Sequence, residues 1–125
     1  MRPAIFSIAA VLALALVPSA AAKRLHSGTF CGGAKTCRTL PVATFSNQIF
    51  AGRATTRPSD AVRYYRGRLR YEPTGYIEVI FVPSRGLMKW VTPTGGVWRT
   101  VPSYPLGRLR ASLAGVRPLG PSRLR

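Results

Sequence analysis

Acidic side chains are almost missing. The 125-residue chain holds three, Asp60, Glu72 and Glu78, against 19 lysines and arginines, a formal net charge of +16. General acid–base catalysis needs paired groups with tuned pKa values. Asp60 falls in a Pro-Ser-Asp turn, Glu72 ends an alternating run, and Glu78 lies inside another, so each reads as structural. Histidine occurs once, at His26, and cysteine twice, at Cys31 and Cys37. That is too few ligands for a zinc site, and the Cys-X-X-Cys spacing of a redox pair is absent. A nucleophile pair of His26 with either cysteine is formally available, but His26 lies in a stretch, Lys23 to Phe30, that reads as polar and loose. No phosphate-cradling loop or dinucleotide fingerprint is present. These absences speak against an enzyme, a cofactor, a metal and a small-molecule substrate.

Long apolar runs are missing too, with one exception. Residues 1–22 read as a secretory signal peptide. Arg2 supplies the basic end, Ala4 to Val17 is uncharged and apolar, Pro18 breaks the helix, and Ala20-Ala21-Ala22 suits cleavage. The run falls short of the roughly 20 residues of a comfortable membrane span. An uncleaved leader acting as an anchor is the alternative, and the only route to a membrane. The expected location is therefore secreted or extracytoplasmic, in a periplasm or on a cell surface. In such a compartment Cys31 and Cys37 are expected to form a disulfide. The closed loop is short, so the entropic gain is about 2 kcal/mol.

What is abundant is arginine: 16 of the 19 cations. Such a surface attracts polyanions. Export directs the choice of partner towards an anionic cell-envelope polymer or extracellular nucleic acid.

The fold is carried by residues 61–101, which read as four strands and three turns. Tyr65, Gly67, Leu69 and Tyr71 alternate with Arg66, Arg68, Arg70 and Glu72, and successive side chains on a strand face opposite sides. Pro73-Thr74-Gly75 suits a three-residue loop with a glycine bulge. It would set Tyr71 opposite Ile77, Leu69 opposite Val79, Gly67 opposite Phe81, and Arg70 opposite Glu78. The same triplet recurs at Pro93-Thr94-Gly95. It would set Trp90 opposite Trp98, Val91 opposite Val97, and Lys89 opposite Arg99. Between them Pro83-Ser84-Arg85-Gly86 makes a four-residue turn that aligns Phe81 with Met88 and Val79 with Trp90.

Leu106, Leu109, Leu113 and Val116 form one helical stripe after Ser103, and Pro118 stops it. The expected fold is a small α+β domain. A four-stranded antiparallel meander (61–101) carries a helix (103–117) over the face made by Leu69, Tyr71, Ile77, Val79, Phe81, Met88, Trp90 and Trp98. Residues 23–60 form a basic N-terminal segment holding the disulfide loop. Within it Thr39 to Val42 suits a short edge strand stopped by Pro41. Phe45, Ile49 and Phe50, spaced i, i+4, i+5, suit one helical turn or a loop that plugs the sheet, covering the apolar part of the face opposite the helix. Residues 119–125 read as a disordered basic tail.

One constellation has a mechanism. Arg66, Arg68 and Arg70 project from one side of one strand at intervals of roughly 7 Å, with Tyr64 on the same side to stack. Lys89 and Arg99 are expected to join them. Guanidinium forks bind phosphate or carboxylate bidentately, so these five residues form the candidate polyanion site of a non-enzymatic monomer. The alternative is a structural or protein-interaction domain that docks a partner on this mixed face, with the charge serving solubility only.

Overall fold

The computed structural model describes residues 24–45, 47–72 and 75–125. The leader expected at residues 1–22 lies outside them. Eight strands run in the order Arg24–Cys31 (β1), Cys37–Pro41 (β2), Ala54–Thr55 (β3), Ala61–Glu72 (β4), Tyr76–Val82 (β5), Leu87–Thr92 (β6), Gly95–Thr100 (β7) and Leu119–Arg123 (β8). Among the described residues two α-helices accompany them, Val42–Phe45 (α1) and Ser103–Ser112 (α2), with 3₁₀ turns at Gly33–Lys35 and Asn47–Phe50. The sheet order is β2-β1-β4-β5-β6-β7-β3, and β8 pairs with the start of β4. Every pairing is antiparallel. The α+β class holds, but a four-stranded meander undercounts the sheet by half.

The largest omission is β1. Residues 24–30 are not loose: they fill the gap between β2 and β4. A bulge between Leu25 and Ser27 breaks their alternation, which removes the period-2 signal from the sequence. The tail is likewise ordered, as β8, with Ala61 opposite Arg123 and Val62 opposite Ser122. A proline is tolerated there because β8 is an edge strand.

The disulfide joins directly opposed residues of β1 and β2, with Cα atoms 4.0 Å apart. The loop it closes is pinned at its tip, where the Gly33 N–H donates to the Arg117 carbonyl at 2.6 Å. The edge strand β2 ends at Pro41, as the sequence suggests.

The inner face of the sheet holds the core. Phe30, Leu69, Val79, Phe81 and Met88 project from β1, β4, β5 and β6 onto Phe45, Ile49, Leu109, Leu113 and Val116. The leucine stripe therefore lands where expected, although α2 ends at Ser112 and Leu113 and Val116 reach the core from the turn beyond it. The residue capping α2 is Pro102, which makes no side-chain capping bond. Phe45 and Ile49 plug this inner face, not the outer one. Gly67 is required beneath them: a Cβ there would lie 2.8 Å from the Phe30 ring. Phe30 sits directly opposite in the register, so an aromatic ring covers the backbone that glycine leaves bare.

Tyr65 ties sheet to helix. Its hydroxyl donates to the Val116 carbonyl at 2.6 Å. Desolvation raises its pKa from the usual 10.0, partly offset by the Arg38 guanidinium. Burial raises Tyr71 as well.

Both Pro-Thr-Gly hairpins depart from the expected register. In the first, Leu69 opposes Ile77, Gly67 opposes Val79 and Tyr65 opposes Phe81, a slip of two residues that keeps every side chain on its face. β4 gains its last partners from β1 instead, with Tyr71 opposite Leu25. In the second, Thr92 opposes Gly95, so only Pro93 and Thr94 lie in the loop. That one-residue slip reverses the face of all of β7. Trp90 opposes Val97, and Lys89 opposes Trp98. Gly96 permits it: a Cβ would lie 1.9 Å from the Trp90 carbonyl oxygen. The Pro83–Gly86 turn matches expectation, with Phe81 opposite Met88 and Val79 opposite Trp90.

Candidate polyanion-binding face

From Tyr65 to Arg70 the twelve-residue β4 alternates strictly between buried and exposed positions. Its inward residues, among them Tyr65 and Leu69, are buried. Its outward arginines, Arg66, Arg68 and Arg70, are all exposed. Registers with the neighbouring strands build three rows across the outer face. Arg66 lies between Cys31 and Ile80, Arg68 between Thr29 and Glu78, and Arg70 between Ser27 and Tyr76.

Arg68 is partly engaged. Its guanidinium lies 3.6 Å from the Glu78 carboxylate and 5.4 Å from the Tyr76 ring centroid. The pair expected for Glu78 was Arg70; the two-residue slip gives it Arg68. Both partners are more than half exposed, so the pair contributes at most about 1 kcal/mol. Arg66 and Arg70 have no ion pair among the described residues. Beside the row lies a shallow groove of about 550 Å³, lined by Thr29, Arg66, Arg68, Tyr76, Ile80 and Val91.

Several other cations are spent on backbone. With three acids available, Arg38 donates to the Ser112 carbonyl, Arg63 to Gly120, Arg108 to Thr44 and Arg110 to Pro83. Asp60 holds Arg85 at 2.6 Å, and Glu72 lies 3.6 Å from His26. These arginines satisfy helix ends and loop carbonyls. The outer row does not.

Two of the five expected site residues do not belong. Lys89 is only 9% exposed; its ammonium donates to the Arg125 carbonyl at 2.6 Å and lies 6.0 Å from the Trp98 ring centroid. Its neighbours Trp98, Val82 and Val62 form a second small core that Leu124 covers. Arg99 stands on the inner face, because β7 is reversed, and donates to the Gly52 carbonyl at 3.1 Å. Tyr64, expected as a stacking group, is half-buried against that second core. Tyr76, 62% exposed, takes its place beside the row. Sequence reasoning missed Tyr76 and the hydroxyls of Ser27 and Thr29, since only the register of β1 and β5 brings them there.

The described residues gather no group of three or more His, Cys, Asp or Glu side chains. None of their helices is long and apolar enough to cross a membrane. No family model, curated protein or solved structure matches the chain, so its functional reading rests on this geometry.

Proposed function

We propose that the protein is an exported, non-enzymatic module that binds an anionic polymer through the outer face of β4. The observation that supports it is the exposed row Arg66-Arg68-Arg70, opposed by the single carboxylate of Glu78. Arg38, Arg63, Arg108 and Arg110 are matched to backbone carbonyls; Arg66, Arg68 and Arg70 instead face solvent side by side on one strand. Guanidinium groups two residues apart on a strand are spaced at roughly 7 Å, and each offers a fork for phosphate or carboxylate. Ser27, Thr29 and Tyr76 flank the row with hydroxyls. The Cys31–Cys37 disulfide suits an oxidising compartment, where the polymer is a cell-envelope polyanion or extracellular nucleic acid.

Replacing Arg66 and Arg68 together with Gln tests the assignment. Folding stability is expected to stay within about half a kcal/mol of the parent. Binding to heparin, DNA and envelope fractions should weaken, and the salt slope should fall by about one unit per lost contact. Arg70→Gln should act in the same way as Arg66→Gln, since neither side chain holds Glu78. A double variant that binds all three polyanions as tightly as the parent, with the same slope, would remove the row from consideration. Binding that barely responds to salt would favour a protein partner docked beside Ile80 and Val91.

A further inference from the structure

A second concavity lies on the opposite face of the sheet. The Asn47–Phe50 turn and the β6–β7 hairpin enclose a cleft of about 630 Å³, within the range of small-molecule sites. Trp90 and Val97 are directly opposed in the register and form its floor, at 44% and 51% exposure. Large apolar side chains at such positions normally lie under a covering element, but here α2 covers the other end of the sheet. Phe50 makes one wall, its ring 5.7 Å from the Trp90 ring and tilted by 33°. At the hairpin end, the hydroxyls of Thr92 and Thr94 lie 3.3 Å apart. At the other end stands Arg99, half-buried, with one guanidinium nitrogen donating to the Gly52 carbonyl. A guanidinium has five N–H donors in a fixed fork, so the bond to Gly52 orients Arg99 and leaves donors to spare.

We infer that this cleft binds a sugar ring carrying an acidic group. An indole face is electron-rich and flat, and the C–H face of a pyranose is flat and weakly positive, so the ring lies on Trp90 with Phe50 at its side. Ring hydroxyls both donate and accept, as Thr92 and Thr94 do. The acidic substituent points to Arg99, the only cation among the described residues that line the cleft, where a carboxylate or sulfate accepts the remaining N–H donors. A nucleobase could stack on the same indole, but among the described residues no side-chain amide or carboxylate lines the cleft to read its edge. The site is independent of the arginine row, which projects from the other face.

Calorimetric titration of the full chain with digalacturonate, a sulfated disaccharide and neutral digalactose is the test. Saturable binding is expected, with either acidic sugar preferred over the neutral one by about fivefold or more. Trp90→Ala should weaken all three by on the order of tenfold, and Arg99→Gln should abolish the preference for acid. Thr92→Val should weaken all three by a smaller factor. The Arg66→Gln/Arg68→Gln variant should bind all three as the parent does, which separates this site from the polymer-binding row. If Arg99→Gln unfolds the protein through loss of its Gly52 bond, Trp90→Ala and Thr92→Val, which leave that bond intact, still decide. The inference is overturned by folded parent protein that shows no saturable binding up to about 10 mM sugar, by binding indifferent to Trp90→Ala, by tighter binding of a nucleoside monophosphate than of digalacturonate, or by a concentration-dependent dimer that buries Trp90.

Discussion

The two faces of this sheet differ in what a side chain is for. At the centre of the inner face, Phe30, Phe81, Leu69 and Leu109 are fully excluded from water, and packing shape decides stability. On the outer face, β4 turns arginines to solvent and only a small cluster of Val62, Val82 and Trp98 is buried. One strand serves both, because alternation lets stability and charge be set independently. The difference teaches that substitutions on the two sides of β4 should separate folding from binding, and four changes of decreasing size test it.

Phe30→Ala should act most strongly. It leaves a cavity between Phe45 and Phe81 and uncovers Gly67. A loss of about 3–5 kcal/mol is expected in chemical denaturation, large enough to unfold a domain of this size at moderate temperature. A loss below about 1 kcal/mol would mean that the inner face is not the principal core.

Removing residues 119–125 comes next. The truncation strips β8 from β4, takes Leu124 off Trp98 and leaves Lys89 without its acceptor. About 2 kcal/mol is expected from the lost burial, with a red shift of indole emission as Trp98 meets water. An unchanged spectrum would mean that the tail does not cover the outer cluster.

Tyr65→Phe should cost about 1–2 kcal/mol, because it leaves the Val116 carbonyl without its donor. The same residue predicts a pH response. Its folded pKa lies above 10.0, so its contribution is fully present below pH 10 and is lost as pH rises past that value towards the folded pKa. Tyr71 acts in the same direction. Alkaline unfolding of the Tyr65→Phe variant should therefore begin at higher pH than its lower starting stability alone would suggest, as measured by far-UV circular dichroism.

Glu78→Gln should be the smallest change, within about half a kcal/mol. It also frees Arg68, so polyanion binding should strengthen slightly. A destabilisation above about 1 kcal/mol would show that the outer face carries more of the fold than its exposure implies.

Much of this was legible from residue order. The alternation along β4 assigns its faces, the leucine stripe finds the core, and the Pro83–Gly86 turn fixes one register. The cysteine pair and the proline that ends β2 also read correctly. What could not be read has local physical causes. The Leu25/Ser27 bulge hides β1. The second glycine at Gly96 shortens the 93–95 loop, whereas the first Pro-Thr-Gly has no such neighbour, so strands flanking identical triplets pair in different registers. β8 looks disordered by composition because its partner, the start of β4, lies far away in sequence. For the site, the row of three arginines follows from period 2 alone. The fates of Lys89 and Arg99 depended on a one-residue slip, which no count of charges reveals.

The position of β1 has a consequence for the order of assembly. It is the first described strand, yet it lies inside the sheet, with β2 on one side and β4 on the other. Pairing with β2 needs only a short loop and closes quickly. Pairing with β4 must close a longer loop, which holds α1, the Asn47–Phe50 turn and β3, at a higher entropic cost. Until then the hairpin of β1 and β2 carries an open edge and an uncovered Phe30. Its cysteines are already opposed, so an early disulfide would hold a half-built template ready for β4 to dock. Oxidation timing, followed by quenching thiols during refolding, would then set how much of the chain reaches the native sheet before the exposed edge finds another molecule.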